Sequence, residues 1–525
     1  MSRKIRTGKT NILLIGFQDQ DNLGLRSLMS SVMKAGFSAN IVTYPIEAAQ
    51  LMVLIASEKP DIIGFSLIFQ YLSREFGSLI TTLRNNGIEA HITMGGHYPS
   101  FEYEEILHSF PGLDSIVRFE GEATLVELMQ KISIGADWKT IRGIAYSDEG
   151  KIVATPLRPL INLEKTPLPY RGDIDYSSQE MPMASILGSR GCPMKCSFCS
   201  IRPFYETPDG PIKRYRPPSS IVEEIEQLYH KRGVTIFLFQ DDDFLAGGRR
   251  ARDWATDIAE GIRKADLVGK VAFKISCRSD EIRKDTIACL KAGGLTHVYM
   301  GVESGDEQGL RNMNKKLTPD THLRAGEILR SLDISFDFGF MLLDPYSTFE
   351  STKNNIDFLE EFTGDGWSAA SFCRMLPYAG TPIKEKLVAE NRLKGTAFEP
   401  DYHFLEPRLD YFYEWMLGTF YERNFTNTGL CHILKILLFK LQLKLNTHNR
   451  FTPSEKSYAR HLTAVANGVA FYTLKSAITY IQGRSLKDLE NDHDYLKNLT
   501  RNELAEEQKL INEASAFYSS IVMKR

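Results

Sequence analysis

The first 150 residues alternate short apolar runs with longer stretches in which apolar residues recur at helical spacing. The short runs predict β-strands, and strands that alternate with helices predict an α/β domain with a doubly wound, Rossmann-like parallel sheet. In such a sheet, ligands bind above the carboxyl ends of the strands. The predicted strands are 11–17, 39–43, 62–66 and 89–94, and the stretches between them are 23–35, 48–57 and 72–86.

The same alternation starts again after a connector. Residues 151–182 contain five prolines among polar residues, which is typical of an extended linker. From 183 to 398, six strand–helix units follow, and six rather than eight predict a partial (β/α)6 barrel with its functional residues at the C-terminal ends of the strands. The predicted strands are 184–188, 234–239, 271–276, 297–301, 334–341 and 369–375, and the predicted helices are 219–231, 249–265, 280–292, 320–331, 349–362 and 382–390.

The last segment, 399–525, has no strand signals and is predicted to be mostly α-helical. It begins with an aromatic-rich stretch, 402–415, which is more typical of a core than of a substrate lid. Residues 430–445 are strongly apolar and are interrupted by Lys435, Lys440 and Lys444. A buried helix whose lysines reach past the apolar surface is favoured over a face that contacts a membrane surface.

Composition and charge narrow the classes of partner. The 63 basic and 66 acidic residues give a formal net charge of −3, so nothing in the balance indicates a nucleic-acid partner. There is no run of 18 apolar residues, and the basic residues 1–10 are followed by an apolar run too short for a signal peptide. The seven cysteines form an odd set without a disulfide pattern. We therefore expect a cytoplasmic protein in a reducing compartment.

Three of the cysteines lie within eight residues, at Cys192, Cys196 and Cys199. Three thiolates on a loop can bind one soft metal centre and leave a coordination position open for chemistry. This C-x3-C-x2-C spacing, with Phe198 before the third cysteine, resembles the signature of radical S-adenosylmethionine (SAM) enzymes. The resemblance implies a [4Fe–4S] cluster whose fourth iron is chelated by SAM. A structural zinc site and three unrelated thiols remain the alternatives.

Further resemblance to radical SAM enzymes places SAM at the ends of the next strands. It implies that one or more of Asp241, Asp242 and Asp243 bind the SAM ammonium, although a magnesium site or a helix N-cap cluster would use the same residues. Arg278 is the candidate for the SAM carboxylate, with a surface ion pair as the alternative. Glu303 is the candidate for the ribose, or else a barrel carboxylate paired with Arg278. Segments containing Gly339 and Pro377 resemble those around the adenine.

The first domain has a second pattern, at the ends of its strands. Asp19-x-Asp21-x-x-Gly24, Ser66-x-Ile68 and Gly95-Gly96 resemble the D-x-H-x-x-G…S-x-L…G-G pattern of cobalamin-binding Rossmann-like domains. Asp21 stands where that pattern has a cobalt-binding histidine, so the resemblance implies a base-off, His-off cobalamin. The implied site residues of the first loop are Asp19, Asp21, Asn22 and Gly24, and those of the next loops are Ser66, Leu67, Phe69, Gln70, Tyr71, Gly95 and Gly96.

Two further features of the first domain fit the same resemblance. Glu120-Gly121-Glu122 is similar to an acidic glycine turn of cobalamin-binding radical SAM proteins, and His97 joins the cofactor residues through its neighbours Gly95 and Gly96. Taken alone, the glycines would be ordinary turns of a flavodoxin-like domain without a cofactor, and His97 a surface histidine.

Together the two resemblances imply a cobalamin-dependent radical SAM methyltransferase. In such an enzyme a 5′-deoxyadenosyl radical abstracts hydrogen from an unactivated carbon of a small molecule or natural-product intermediate, and methylcobalamin supplies the methyl group. The resemblance also implies an external electron donor of the flavodoxin or ferredoxin type, and we expect a monomer. The alternatives are a non-methylating cyclisation or ring rearrangement with the same cofactors, and a cobalamin-binding sensor or carrier with a structural metal site.

Overall fold

A computed structural model of the protein describes residues 10–18, 21–68, 70–443, 451–491 and 494–522. The first sheet has the strand order β2-β1-β3-β4-β5-β6-β7. Its first five strands are parallel, as predicted, and an antiparallel hairpin, β6–β7, extends one edge. The strands are β1 Asn11–Phe17, β2 Ser38–Tyr44, β3 Ile62–Ser66, β4 His91–Gly95, β5 Ser115–Val117, β6 Ile144–Asp148 and β7 Lys151–Ala154, and the helices are α1 Leu23–Lys34, α2 Ala48–Glu58, α3 Ser73–Asn85, α4 His97–Phe101, α5 Tyr103–Ser109 and α6 Glu122–Ser133.

The second sheet is the predicted six-stranded parallel half-barrel, with the order β8-β11-β12-β13-β14-β15. A short hairpin of β9 and β10 stands beside it. The strands are β8 Met183–Ile186, β9 Ser189–Arg190, β10 Arg214–Tyr215, β11 Ile236–Phe239, β12 Ala272–Arg278, β13 Leu295–Glu303, β14 Ser335–Leu343 and β15 Cys373–Arg374, and the helices are α7 Ile201–Glu206, α8 Pro218–Arg232, α9 Arg249–Lys264, α10 Lys284–Ala292, α11 Glu307–Asn312, α12 Pro319–Ser331, α13 Phe349–Thr363 and α14 Pro382–Ala389.

The C-terminal segment is helical after one small hairpin. Its elements are β16 Leu393–Gly395, β17 Pro400–Tyr402, α15 Pro407–Phe425, α16 Leu430–Gln442, α17 Pro453–Gln482, α18 Leu486–Asn491 and α19 Asp494–Val522. Most of the aromatic side chains of 402–415 pack into or against the main core, which agrees with the core interpretation. In the part of the chain that the structure describes, no helix combines the length and the apolarity needed to cross a membrane.

The apolar helix α16 closes the lower end of the barrel. The ring of Phe439 meets the ring of His297 edge-on at 5.5 Å between centroids, and Leu443 packs with Ile236 and Ala272 at the starts of two barrel strands. The Lys435 ammonium donates to the Ser371 hydroxyl at 2.9 Å. Lys440 is buried and pairs with a glutamate. The structure therefore places α16 inside the protein, and Lys444 lies outside the described residues.

Candidate active site

The cysteine loop follows β9 and is fixed by backbone contacts. Gly191 has a φ of +87°, and a Cβ there would lie 1.9 Å from the carbonyl oxygen of Ile212, so only glycine fits. Within the loop, the Ser197 amide donates to the Met313 carbonyl, and the Ser197 carbonyl accepts from the Ile383 amide, both at 2.9 Å. These bonds tie the loop to residues after the fourth and sixth barrel strands.

The three loop thiols suit a cluster. Cys192, Cys196 and Cys199 are free and half-buried, and burial raises the pKa of each, to about 12 for Cys192 and Cys199. The charges of Lys315 and Arg278 oppose that rise at Cys196, and the Arg278 guanidinium lies 3.8 Å from its sulfur. Three cysteine sulfurs beside the positive charge of Arg278 are suited to bind a [4Fe–4S] cluster as thiolates.

Among the described residues, no three or more His, Cys, Asp or Glu side chains are gathered closely enough to hold one metal ion.

The three aspartates after β11 point in different directions. Asp241 is buried and accepts from the Gly188 amide at 3.0 Å and from the Ser189 hydroxyl, so it shapes the start of the cysteine loop. Asp243 lies 3.8 Å from the Cys192 sulfur. Asp242 accepts from the Gly191 amide at 2.7 Å. Because α9 begins after Gly248, these carboxylates do not cap that helix.

Arg278 and Glu303 lie on neighbouring strands at the same end of the barrel. Arg278 is buried and pairs with Asp280 at 3.0 Å rather than standing on the surface. Glu303 has a φ of +71° and pairs with Lys315 at 3.2 Å, so its partner is a lysine that the sequence did not indicate, and not Arg278. The Lys315 ammonium also lies 5.9 Å from the centre of the Phe198 ring.

The two adenine candidates lie at the same end. Gly339 pairs with Gly301 across β13 and β14, one strand further from Arg278. Pro377 is buried in the segment that follows β15. The SAM candidates on successive strands therefore share one end of the barrel.

A cavity of about 430 Å³ lies between the carboxyl ends of the first sheet and the edge of the barrel. It receives most of the predicted cobalamin residues and several barrel residues. The predicted residues that line it are Asn22, Gly24, Ser66, Gly95, Gly96, His97, Glu120, Gly121 and Glu122, joined by Asp242, and the barrel-side residues that the sequence did not indicate are Leu187, Arg190, Phe204, Tyr205 and Gln240.

The paired glycines of this cavity differ in what they require. Gly96 has φ 123° and ψ −175°, and a Cβ there would lie 2.2 Å from the Leu67 carbonyl oxygen. At Gly95 the closest contact of a Cβ is the Val117 carbonyl oxygen at 3.2 Å. Beside them, the ring of His97 stacks on Phe204 at 4.0 Å, and burial lowers the pKa of His97. Because Gly96 has no side chain, a nucleotide tail could run close to the backbone at this position.

Two family models match this chain on the two sites just described. The model for the radical SAM superfamily matches residues 186–359, and the model for the B12 binding domain matches residues 16–129. The chain therefore contains a B12 binding domain followed by a radical SAM domain. The cofactors of these two domains are a [4Fe–4S] cluster, SAM and cobalamin.

Two curated relatives and a solved structure are similar to this chain. The enzyme is 28% identical to an uncharacterized methyltransferase of Pyrococcus horikoshii over 65% of this chain and 72% of that protein. It is 26% identical to the anaerobic magnesium-protoporphyrin IX monomethyl ester cyclase of Rubrivivax gelatinosus over 72% of this chain and 68% of that protein. Its fold is similar to the cobalamin-dependent radical enzyme OxsB with aqua-cobalamin and SAM bound, at 18% identity and a TM-score of 0.72, over 97% of this chain and 80% of that one.

Not every residue predicted for cobalamin faces the cavity of this enzyme. Leu67 is fully buried in the core of the first domain, and Tyr71 is 56% exposed. Gln70 is buried, donates to the Ala397 carbonyl at 2.8 Å and accepts from the Ala379 amide at 3.2 Å. These three side chains therefore do not line the cavity. Asp19 and Phe69 lie outside the described residues.

Asp21 connects the first domain to the barrel. Its carboxylate accepts from the Ser185 amide at 2.9 Å, and from Arg171 and the Tyr176 hydroxyl at 3.2 Å each. It is not among the residues that line the cavity. A carboxylate held by three donors from the linker and the first barrel strand acts as a tie between the two domains.

The variant Asp21→Ala tests this tie. We expect the free energy of unfolding to fall by about 1–3 kcal/mol, because buried donors lose their acceptor, whereas the affinity for cobalamin stays unchanged. Thermal unfolding and corrin absorbance titration measure the two effects. Loss of corrin binding without a loss of stability would instead place Asp21 in the cofactor site.

Ion pairs at the edge of the cavity form a second connection between the first domain and the barrel. Arg190, two residues before Cys192, pairs with Glu120 at 2.9 Å and with Glu122 at 2.7 Å. Arg214 also pairs with Glu120, at 2.9 Å. Burial by itself raises the pKa of Glu120, but the charges of Arg190 and Arg214 outweigh it, so the pKa is lowered below 4.5. This network holds the cysteine loop against the edge of the cavity.

The network predicts acid sensitivity. A carboxyl group with a lowered pKa in the folded state stabilises the protein fully above its unfolded pKa of 4.5, and this contribution is lost as the pH falls below 4.5 through the folded pKa. We expect the thermal midpoint of Glu120→Gln to be lower than that of the wild type at pH 7 and to fall less between pH 5 and pH 3. Parallel pH curves for the two proteins would contradict the prediction.

Proposed function

We propose that this enzyme is a methyltransferase that methylates an unactivated carbon of a small-molecule or natural-product intermediate. The observation that carries the proposal is that the two sites share a residue. Asp242 lines the cobalamin cavity, while its carboxylate accepts from Gly191, the residue before Cys192. Adjacent sites suit a reaction in which a substrate radical formed at one site meets a group offered by the other.

The residues of the chain are proposed to hold, orient and shield these groups. The three cysteines bind the cluster, Arg278 binds the SAM carboxylate with its forked donors, and Glu303 accepts from the ribose hydroxyls. The glycine wall at Gly96 admits the nucleotide tail of cobalamin. When bound, the cluster with SAM supplies a carbon-centred radical, and the corrin supplies a methyl group. The apolar core and the C-terminal helices exclude water from the radical.

We also propose an electron donor, an oligomeric state, a location and a role for each part of the chain. The reducing equivalents come from an external donor of the flavodoxin or ferredoxin type, and the enzyme works as a monomer in the cytoplasm. Four units carry the function: 1–150 for cobalamin, 151–182 as a linker, 183–398 for SAM and the cluster, and 399–525 as a helical cap. The proposal for the first unit is supported by the cavity and by the match to the B12 binding domain.

One anaerobic assay tests the proposal. The enzyme is reconstituted with iron, sulfide and cobalamin, its cluster and corrin spectra are recorded, and SAM-derived products are measured with candidate substrates. Methyl transfer predicts both 5′-deoxyadenosine and S-adenosylhomocysteine, together with a methylated product. Formation of 5′-deoxyadenosine without stoichiometric S-adenosylhomocysteine would instead assign a non-methylating rearrangement. Absence of corrin binding would overturn the proposed use of cobalamin.

A further inference from the structure

The inside of the barrel carries polar side chains below the level of SAM. On β12, Phe273 and Ile275 pack into the core shared with the outer helices, so Lys274 between them faces inward. On β13, Val298 and Met300 face the same outer core, so His297 and Tyr299 face inward. These positions are continuous with Arg278 and Glu303, which lie further along the same two strands.

The third inward strand adds a carboxylate. Asp337 lies between Phe336 and Phe338, which belong to the outer core, and it pairs in register with Tyr299. The His297 Nε2 lies 3.4 Å from the Asp337 carboxylate, and its Nδ1 lies 2.8 Å from the Ser335 hydroxyl. Burial lowers the pKa of His297, which keeps its ring neutral at pH 7. We call Lys274, His297, Tyr299, Asp337 and Lys435 the lumen set.

Tyr299 connects this set to the SAM end of the barrel. A Cβ on Gly339 would lie 2.8 Å from the Tyr299 hydroxyl and 3.2 Å from Glu303 Oε2. The absence of a side chain at Gly339 therefore leaves room for the Tyr299 hydroxyl and the Glu303 carboxylate on the same side of the strand. Tyr299 is nevertheless 37% exposed, although it lies inside the barrel. Open space therefore faces it, between the SAM level and the floor made by α16.

The lumen set has more positive than negative charge. Lys435 reaches in from α16, where its charge lowers the pKa of Asp337, and Lys274 lies over the Tyr299 ring at 5.6 Å. Among the described residues, Lys274 has no carboxylate within ion-pair distance and no hydrogen-bond acceptor. Two lysines face one carboxylate here. Burial lowers the pKa of Lys274 and Asp337 opposes that shift, so an anion beside Lys274 would further stabilise its charged form.

We propose that the lumen set binds a carboxylate or phosphate group of the substrate, with Lys274 as its principal partner. This inference rests on the proposed function and adds a substrate class to it. His297 and Gly301 are four residues apart on β13, so the anionic group would lie about 13 Å below the level of Arg278, at ~3.3 Å per strand residue. The carbon that reacts would lie between the two levels, several bonds from the anion.

The binding test uses small anions as probes. The reconstituted enzyme with SAM is titrated with sodium acetate or methyl phosphate in place of sodium chloride at constant ionic strength, and its thermal midpoint is followed. We expect a saturable rise with at least one probe, and the preferred probe distinguishes a carboxylate from a phosphate. In Lys274→Met the half-saturating concentration is expected to rise about tenfold or more, as for a lost charged hydrogen bond.

Three variants complete the test. Lys274→Arg keeps the charge and is expected to keep the response. Lys291→Met removes a lysine that donates to the Leu332 carbonyl on the outer side of the barrel, and it is expected to behave as the wild type. If Lys274→Met does not fold, Lys435→Met takes its place, because it removes the other ammonium of the lumen set.

The results separate this inference from the proposed function. A wild type that neither probe stabilises, or a Lys274→Met that responds as the wild type does, overturns the lumen site. Corrin spectra and SAM products are recorded on the same samples. A wild type that fails to bind cobalamin yet shows the Lys274-dependent response overturns the proposed function and keeps the anion site.

Discussion

Replacing Cys196 with alanine is expected to abolish SAM cleavage. Its thiolate is one of three proposed cluster ligands, and its sulfur lies 3.8 Å from the Arg278 guanidinium, the candidate for the SAM carboxylate. Loss of this ligand removes the cluster and the site where SAM is chelated, so the rate should fall by about 10³-fold or more, as when a residue of an interdependent catalytic set is removed. Iron content, absorbance near 400 nm and 5′-deoxyadenosine formation measure the loss.

Cys289→Ala is the matched control. Cys289 is a free, half-buried cysteine on α10, outside the loop and outside the cavity. Its removal is expected to leave iron content and SAM cleavage as in the wild type. A Cys196→Ala enzyme that still cleaves SAM would overturn the role of Cys196 as a cluster ligand. A wild type without iron after anaerobic purification would instead favour a carrier or sensor role.

The regular elements of the fold could be predicted because their burial follows simple periodicities. Strands β1 and β3 match their predicted ranges to the residue, since both are continuous apolar runs buried within a parallel sheet. The hairpin β6–β7 was not predicted as part of the sheet. It lies at an edge, and several of its residues are exposed, so its sequence lacks a continuous apolar run. The last barrel strand is only two residues long, where seven were predicted.

The positions of the candidate site residues in the fold were predictable where a motif stands at the end of a strand. The cysteines, Arg278, Glu303 and the paired glycines all have such positions. Lys315 and Arg190 do not, because their roles come from contacts with Glu303 and with the acidic turn 120–122 that form only in the folded chain. Lys315 is 12 residues from Glu303, and Arg190 is 70 residues from Glu120, and neither separation gives a periodic signal in the sequence.

Asp21 shows what a sequence motif does not predict. The motif gives its position in the chain but not the direction of its side chain. Donors from Arg171, Tyr176 and the Ser185 amide turn the carboxylate toward the barrel. Those donors lie 150 or more residues away, so the tie depends on how the two domains pack.

The two glycines of the cobalamin cavity are expected to differ sharply when each is replaced by alanine. Gly96 adopts a backbone conformation that is essentially restricted to glycine, which costs another residue on the order of 1–3 kcal/mol. The added Cβ would also lie 2.2 Å from the Leu67 carbonyl, so the backbone that lines the cavity must move. Gly96→Ala should therefore weaken cobalamin binding by about ten- to a hundredfold.

Gly95→Ala should have a much smaller effect, because its φ is not positive and its closest contact, the Val117 carbonyl at 3.2 Å, requires a shift of only a few tenths of an ångström. Gly418→Ala, on helix α15 with no atom within 4 Å of the added Cβ, controls for the substitution itself. Corrin absorbance titrations give the three affinities, and thermal midpoints show whether each variant is folded. Equal losses at Gly95 and Gly96 would contradict the prediction, because the positive φ of Gly96 and its close approach to the Leu67 carbonyl are what distinguish the two positions.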